Sequence, residues 1–259
     1  IKMMKKYLKL HILFLVLLLI WTGGCRETED LSSRVAEMEF VSDLHKLNGE
    51  IDEWIYQNIT IPYNIRLQWR WDRSETDLDR AVTPVREEQV IPVGQMLLTY
   101  YLEPYKAEAG EEFVKRYPPK LYALYGSASY NTNGSKKLGS ADAGRKVTLF
   151  TINERDFSEF NPTMERILKT VHHEFGHILD QNRRVSPTYG LISNQAHYAE
   201  DEWTSVYSDL NTLHLDRGFI TPYAGSQPSE DFVEVIATLL AYGQEWFDSQ
   251  VGRANAEGR

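Results

Sequence analysis

Residues 171–179 read VHHEFGHIL. His173 and His177 are four apart, so on a helix their imidazoles share one face and can reach one ion. Glu174 is turned about 100° from His173, beside such an ion rather than on it. This H-E-x-x-H spacing suits hydrolysis at zinc. Two imidazoles and one carboxylate hold the metal and leave a fourth position for water, whose proton the adjacent glutamate accepts as the water attacks a carbonyl. Ile167, Leu168, Val171, Ile178 and Leu179 make the segment a buried helix, where two histidines and a glutamate are costly unless a metal satisfies them. Gly176 weakens the helix but admits a close neighbour. His172 points elsewhere, to a hydrogen-bonded supporting position or to the surface.

A third ligand must come from elsewhere. The metzincin pattern needs Gly three residues after His177 and His three further on, but Asp180 and Arg183 stand there. The remaining candidates are His197, Glu200, Asp201, Glu202, His214, Glu230 and Glu234. Only SEDFVE, residues 229–234, offers two glutamates four apart on an expected helix, so that one binds zinc while the other orients a ligand histidine. Glu230 is assigned as ligand and Glu234 as its supporting carboxylate, with the exchanged roles as the alternative. The acids at 200–202 suit the first turn of a helix. Tyr223, seven residues before Glu230, is either an ordinary loop tyrosine or a hydroxyl that meets the developing oxyanion.

Several elements must position these groups. Leu44, Leu47, Ile51 and Ile55 recur at helical spacing up to Asn58. In IRLQWRW, Ile65, Leu67, Trp69 and Trp71 alternate with polar residues as in a half-buried strand. A helix is expected over about 90–102, with Pro92 near its start and Pro104 ending it. KLYALYGSAS and RKVTLFTIN are further strands, followed by helices over about 162–181, 202–210 and 230–247. Strands first and helices later indicate an α+β domain with its chemistry on helices.

With these residues in place, HHEFGH followed some fifty residues later by Tyr223 and EDFVE resembles the substrate import-associated zinc metallohydrolase lipoproteins, over most of the chain beyond its leader. The spacing of Tyr223, Glu230 and Glu234 is also similar to the lethal-factor-type zinc proteases, whose E-x-F-A-E segment supplies the third ligand with its first glutamate; Val233 replaces that alanine. The resemblance implies a zincin-like (gluzincin-type) metallopeptidase with a small mixed sheet packed on the active-site helix, and zinc as cofactor. It further implies a place beside TonB-dependent transporters and their binding lipoproteins, and hence a role in nutrient capture.

The beginning of the chain fits that setting. Lys2, Lys5, Lys6 and Lys9 precede ILFLVLLLIW, an apolar run of about ten residues where a bilayer span needs about twenty. Residues 1–24 therefore read as a signal peptide. WTGGC ends it in small residues before Cys25, the one cysteine in the chain, in a pattern that resembles a bacterial lipobox. Lipid on Cys25 would anchor the protein to a membrane without spanning it. RETED, after the cysteine, is either a solvated linker or similar to the export tag of surface-exposed outer-membrane lipoproteins. The expected organisation is leader 1–24, lipidated Cys25 with a tether to 40, and one domain over 41–259. The net charge is −9, and without the four leader lysines it becomes −13, which argues against nucleic acid as a partner. The expected activity is a lipid-anchored peptidase acting on peptide or glycopeptide. The alternative is a non-catalytic binding accessory of an import complex, for which an intact Glu174 has no use.

Overall fold

The computed structural model describes residues 49–75, 81–130, 136–137, 139–142, 146–207 and 211–255. The leader, Cys25, the tether, Leu44 and Leu47 lie outside them. Helix α1 (Glu50–Ile55) continues through a π-turn at Tyr56–Thr60 into one more turn, Ile61–Tyr63, and closes on Asn64 in the left-handed conformation (φ 54°). It thus overruns the expected end at Asn58. In the π-turn the Ile61 N–H reaches Tyr56 O, five residues back, so the register shifts and Pro62, which has no N–H to give, starts the next turn.

The same arrangement recurs at Pro104, which was expected to end a helix and does not. Helix α2 (Glu87–Leu97) runs into a π-turn at Leu98–Leu102, where Glu103 N–H reaches Leu98 O, and α3 (Glu103–Ala109) follows with Pro104 in its first positions. Pro92 sits inside α2 rather than near its start. The carbonyl it deprives of a bond belongs to Glu88, an exposed first-turn residue that water can serve. After Gly110 (φ 89°), α4 (Glu111–Arg116) completes this helical layer.

The sheet holds β1 (Arg66–Gln68), β2 (Leu121–Leu124), β3 (Gly139–Asp142) and β4 (Lys146–Leu149) in the order β1-β2-β4-β3. β1 is parallel to β2 and β2 to β4, with Leu67 beside Tyr122 and Tyr122 beside Val147; β3 is antiparallel to β4. β2 and β4 are buried at every position, as parallel strands covered on both faces are. β1 is shorter than its alternating sequence promised: Ile65, Leu67 and Trp69 are buried, but Trp71 is 44% exposed.

Helix α5 (Pro162–Asn182) packs against β3 and β4. Its start is well specified. The Asn161 side chain accepts the N–H of Thr163 at 2.9 Å and of Met164 at 3.2 Å, and Pro162 occupies a position that needs no N–H. Ile167, Leu168, Val171, Phe175 and Ile178 point into the main core with Val93, Tyr101, Tyr122 and Val147. Of the helix expected over 202–210, residues 208–210 lie outside the described ones; before them stand a 3-10 turn at Glu200–Glu202 and a single helical turn, α6 (Trp203–Val206), which ends where Tyr207 turns extended to plug a second core with Phe219, Ile220 and Ala224. Last, α7 (Pro228–Arg253) makes its most extensive packing against α5, with a break at Gly243 (φ 83°) that divides it into two helices. Among the described residues no helix is long and apolar enough to cross a membrane.

Candidate metal centre

The close crossing of α5 and α7 builds the site. A Cβ on Gly176 would lie 2.9 Å from Val233 Cγ1 and 3.1 Å from Val233 Cβ, so the missing side chain lets α7 approach until Val233 rests on the α5 backbone. Three residues before Val233 is Glu230 and one after it is Glu234, and both carboxylates reach α5. Glu230 Oε2 lies 3.1 Å from His173 Nε2 and 3.3 Å from His177 Nε2. Donor atoms of His173, His177 and Glu230 all fall within 4.8 Å of one another, and this is the one such group of three or more His, Cys, Asp or Glu among the described residues. His197, Glu200, Asp201, Glu202 and His214 are not part of it.

These three donors suit a metal. Ligands bound at about 2.0–2.2 Å to a tetrahedral zinc lie roughly 3.3 Å apart, which is the spacing found between Glu230 and each imidazole. Charge points the same way. The carboxylates of Glu174, Glu230 and Glu234 all act on His173, and among the described residues Lys169 is the ammonium paired with them; Glu230 and Glu234 are buried. Burial works against a charged His173, yet its bonds to Glu230 and Glu234 outweigh that and raise its pKa to about 9. Burial would raise the Glu230 carboxyl, but the two histidines hold it well below the usual carboxylate range. A pocket this anionic gains from a cation.

Glu234, with no exposure at all, is hydrogen-bonded from three sides. His173 Nδ1 lies 2.7 Å from its Oε1, Lys169 bonds the same oxygen, and Thr221 Oγ1 donates to Oε2 at 2.5 Å. With Nδ1–H given to Glu234, His173 keeps Nε2 for a metal, which is the usual service of an outer carboxylate to a ligand imidazole. The structure thus brings Glu230 to Nε2 of both imidazoles and Glu234 to Nδ1 of His173. Lys169 and Thr221 were missed. Lys169 had a signal, because it precedes His173 by four residues on the same face; Thr221, in a loop, had none.

Tyr223 begins a 3-10 turn, Tyr223–Gly225, whose position is fixed on both sides. A Cβ on Gly225 would strike the Tyr207 ring at 2.4 Å, so the turn sits flat on the second core. Thr221 Oγ1, which donates to Glu234, also accepts Ala224 N–H at 3.1 Å and so ties the turn to α7. The Tyr223 ring stacks beside His173, centroids 5.8 Å apart, and Trp203 packs on it edge-on. Burial first, then the charge of Glu230 and a hydrogen bond to it, push the Tyr223 hydroxyl pKa up, so it keeps its proton. Glu174 is half-buried, and its charge acts on both His173 and Tyr223. His172 is neither at the surface nor among the metal donors. It is buried with Tyr101 and Tyr105, its Nδ1 3.3 Å from the Tyr105 hydroxyl, and burial lowers its pKa to about 4.

Comparison with known proteins agrees with this geometry. Residues 45–259 match the family described as "Putative zinc-binding metallo-peptidase". The fold is similar to the crystal structure of a protein described as a putative zinc-binding metallo-peptidase from Bacteroides caccae, with a TM-score of 0.69 and 33% identity over 82% of this chain and 80% of that one. No curated protein matches the chain. Zinc is the metal of this family, and the His/Glu cluster is consistent with it. The mixed α+β chain, with its small sheet and two crossing helices, belongs to the zinc-binding metallo-peptidase family.

Proposed function

We propose that the protein is a zincin-like, gluzincin-type peptidase that cleaves peptide or glycopeptide bonds, with zinc held by His173 Nε2, His177 Nε2 and Glu230. The observation that carries this reading is the convergence of those three donors with Glu174 one residue away and outside the set. When bound, zinc supplies the Lewis acid that polarises water and the substrate carbonyl. Glu174 takes the proton of the attacking water and hands it to the leaving amine. Tyr223, whose raised pKa keeps the hydroxyl protonated, donates to the oxyanion that forms on the substrate. Glu234, itself held by Lys169 and Thr221, fixes the His173 ring.

Glu174→Gln keeps the shape and removes the base. The variant should fold and hold zinc as wild type does while cleavage of a proteome-derived peptide library falls about 10²- to 10⁴-fold. Tyr223→Phe should cost less, about 10²-fold at most. If zinc-loaded wild type and Glu174→Gln are equally inert on the library yet bind the same peptides, the binding-accessory reading replaces the enzyme. The expected setting is the cell envelope. The basic, apolar leader and the lipobox-like run before Cys25 support a lipid anchor in the outer membrane, exposed at the cell surface. There the peptidase would serve nutrient import beside a TonB-dependent transporter and its binding lipoprotein.

A further inference from the structure

Two cavities meet at the C-terminal end of α5. The larger, about 550 Å³, is walled by Asp180 and Gln181 of α5, Arg184 just beyond it, and Pro228, Ser229 and Phe232 of α7. A smaller one of about 300 Å³ shares Asp180 and Phe232 and takes Arg183 into its wall. Neither lining includes a metal donor, but both neighbour the donors along the chain. Asp180 and Gln181 follow His177 by three and four residues, one turn along the same face, and Pro228, Ser229 and Phe232 bracket Glu230. A peptide held at the metal donors that continued along α5 beyond His177 would come to this wall.

The charge of that wall runs against the rest of the molecule. The chain has 37 acids and 28 bases, yet here two guanidiniums face one carboxylate. That carboxylate is already engaged, since Asp180 Oδ1 accepts the Val185 N–H at 2.8 Å and closes the turn after α5. No hydrogen bond or ion pair joins the guanidinium of Arg183 or Arg184 to a described residue. Cations beyond the last turn of α5 also suit the helix dipole, but that role requires neither a cavity nor the absence of a partner.

We propose that Arg184, with Arg183 beside it, receives a carboxylate of the substrate, so that the cleft selects peptides carrying an acidic side chain or a free C-terminal carboxylate on the segment that runs past His177. A guanidinium fork matches a carboxylate in two parallel bonds, and either source presents the same two oxygens. The proposal rests on the peptidase reading for the location of the peptide.

Three short peptide hydroxamates test it by binding to the zinc-loaded protein in calorimetry, with no turnover required. One carries Gln and an amidated C-terminus, the second Glu and an amidated C-terminus, the third Gln and a free C-terminus. At least one charged ligand should bind about tenfold tighter than the neutral one, and the ligand that gains shows whether side chain or terminus is read. The double variant Arg183→Gln, Arg184→Gln should erase that gain and leave the Kd of the neutral ligand unchanged. Arg184→Glu alone should turn the preference toward a Lys-bearing hydroxamate, which a folding defect does not mimic. Equal binding of all three ligands by wild type, or a preference that survives in the double variant, overturns the proposal. Library turnover, measured on the same wild-type preparation, reports separately on the peptidase reading. Preference without turnover supports the carboxylate site and sinks hydrolysis; turnover without preference does the reverse.

Discussion

Replacing Gly176 by Ala tests whether the spacing of two helices, and not only the identity of four side chains, makes the metal centre. The new Cβ would meet Val233 Cγ1 at 2.9 Å and Val233 Cβ at 3.1 Å, where ordinary contact begins at 3.4 Å. Two effects oppose each other. Alanine is the better helix former by about 1 kcal/mol, while forcing a methyl into a packed contact costs about 1–3 kcal/mol. The expected net loss of stability is therefore about 0–2 kcal/mol, small enough for the variant to fold. The effect on the site is larger in consequence. Relief of the clash moves α7 outward by about 0.5 Å, the tolerance within which a metal site must hold its ligands. Because Glu230 and Glu234 flank Val233, that shift passes directly into the 3.1 Å, 3.3 Å and 2.7 Å separations. Zinc affinity, measured by competition with a chelating dye, should fall about tenfold or more. Val233→Ala in the same chain removes the 2.9 Å contact but leaves the 3.1 Å one, so rescue should be partial. In urea denaturation the double-mutant cycle should show a favourable coupling of about 0.5–3 kcal/mol. Wild-type zinc affinity in Gly176→Ala, with no coupling to Val233, would refute the spacing argument.

Other outcomes follow from the same contacts. Glu234→Gln removes the acceptor charge behind His173 and leaves Lys169 facing a neutral amide, so zinc affinity should drop about 10- to 100-fold with the fold retained; unchanged affinity in the dye assay would mean that Glu234 does not support the ligand. Chelating the metal should lower the melting temperature, and adding zinc back to a hundred times its Kd should restore about 2.7 kcal/mol, so identical calorimetric scans with and without zinc would contradict a preformed site. Cys25→Ser should move the protein from the membrane fraction to the soluble one, and a variant that still sediments with membranes would end the lipid-anchor reading.

How far the sequence revealed this arrangement depended on whether a feature is local. α5 was legible because its start is chemically marked by Asn161 and Pro162 and its apolar residues repeat on one face, and the three-residue core of the site lies in that one helix. That Glu230 and Glu234 both come to His173 has the same local cause: two carboxylates four apart on one helix can reach one neighbour. Proline was misread at 104 because the rule that it ends a helix assumes an unbroken i→i−4 register. A π-turn changes the register just before the ring, and nothing in LTYYL marks one. The helix begun at Trp203 stops at Val206 for a different reason. Its propensity lost to the burial of Tyr207, a tertiary demand from Phe219 and Gly225 that lie well downstream.

The residues that tie these failures to function are the ones in contact across long separations. Thr221 joins the Tyr223 turn to Glu234, and Ser193 and Tyr198 both donate at 2.9 Å to Asp231, the buried neighbour of Glu230. Asp231 thereby fastens the segment between α5 and α6 to the ligand helix, and burial holds its carboxyl above the usual range. None of these residues belongs to a motif, and no periodicity selects them. Yet they hold the loop carrying Tyr223 beside His173 and the segment carrying Ser193 and Tyr198 against α7. The candidate metal donors can be read from spacing because a helix imposes it. The surroundings that turn a metal site into a selective one are set by tertiary packing, and only the folded chain displays them.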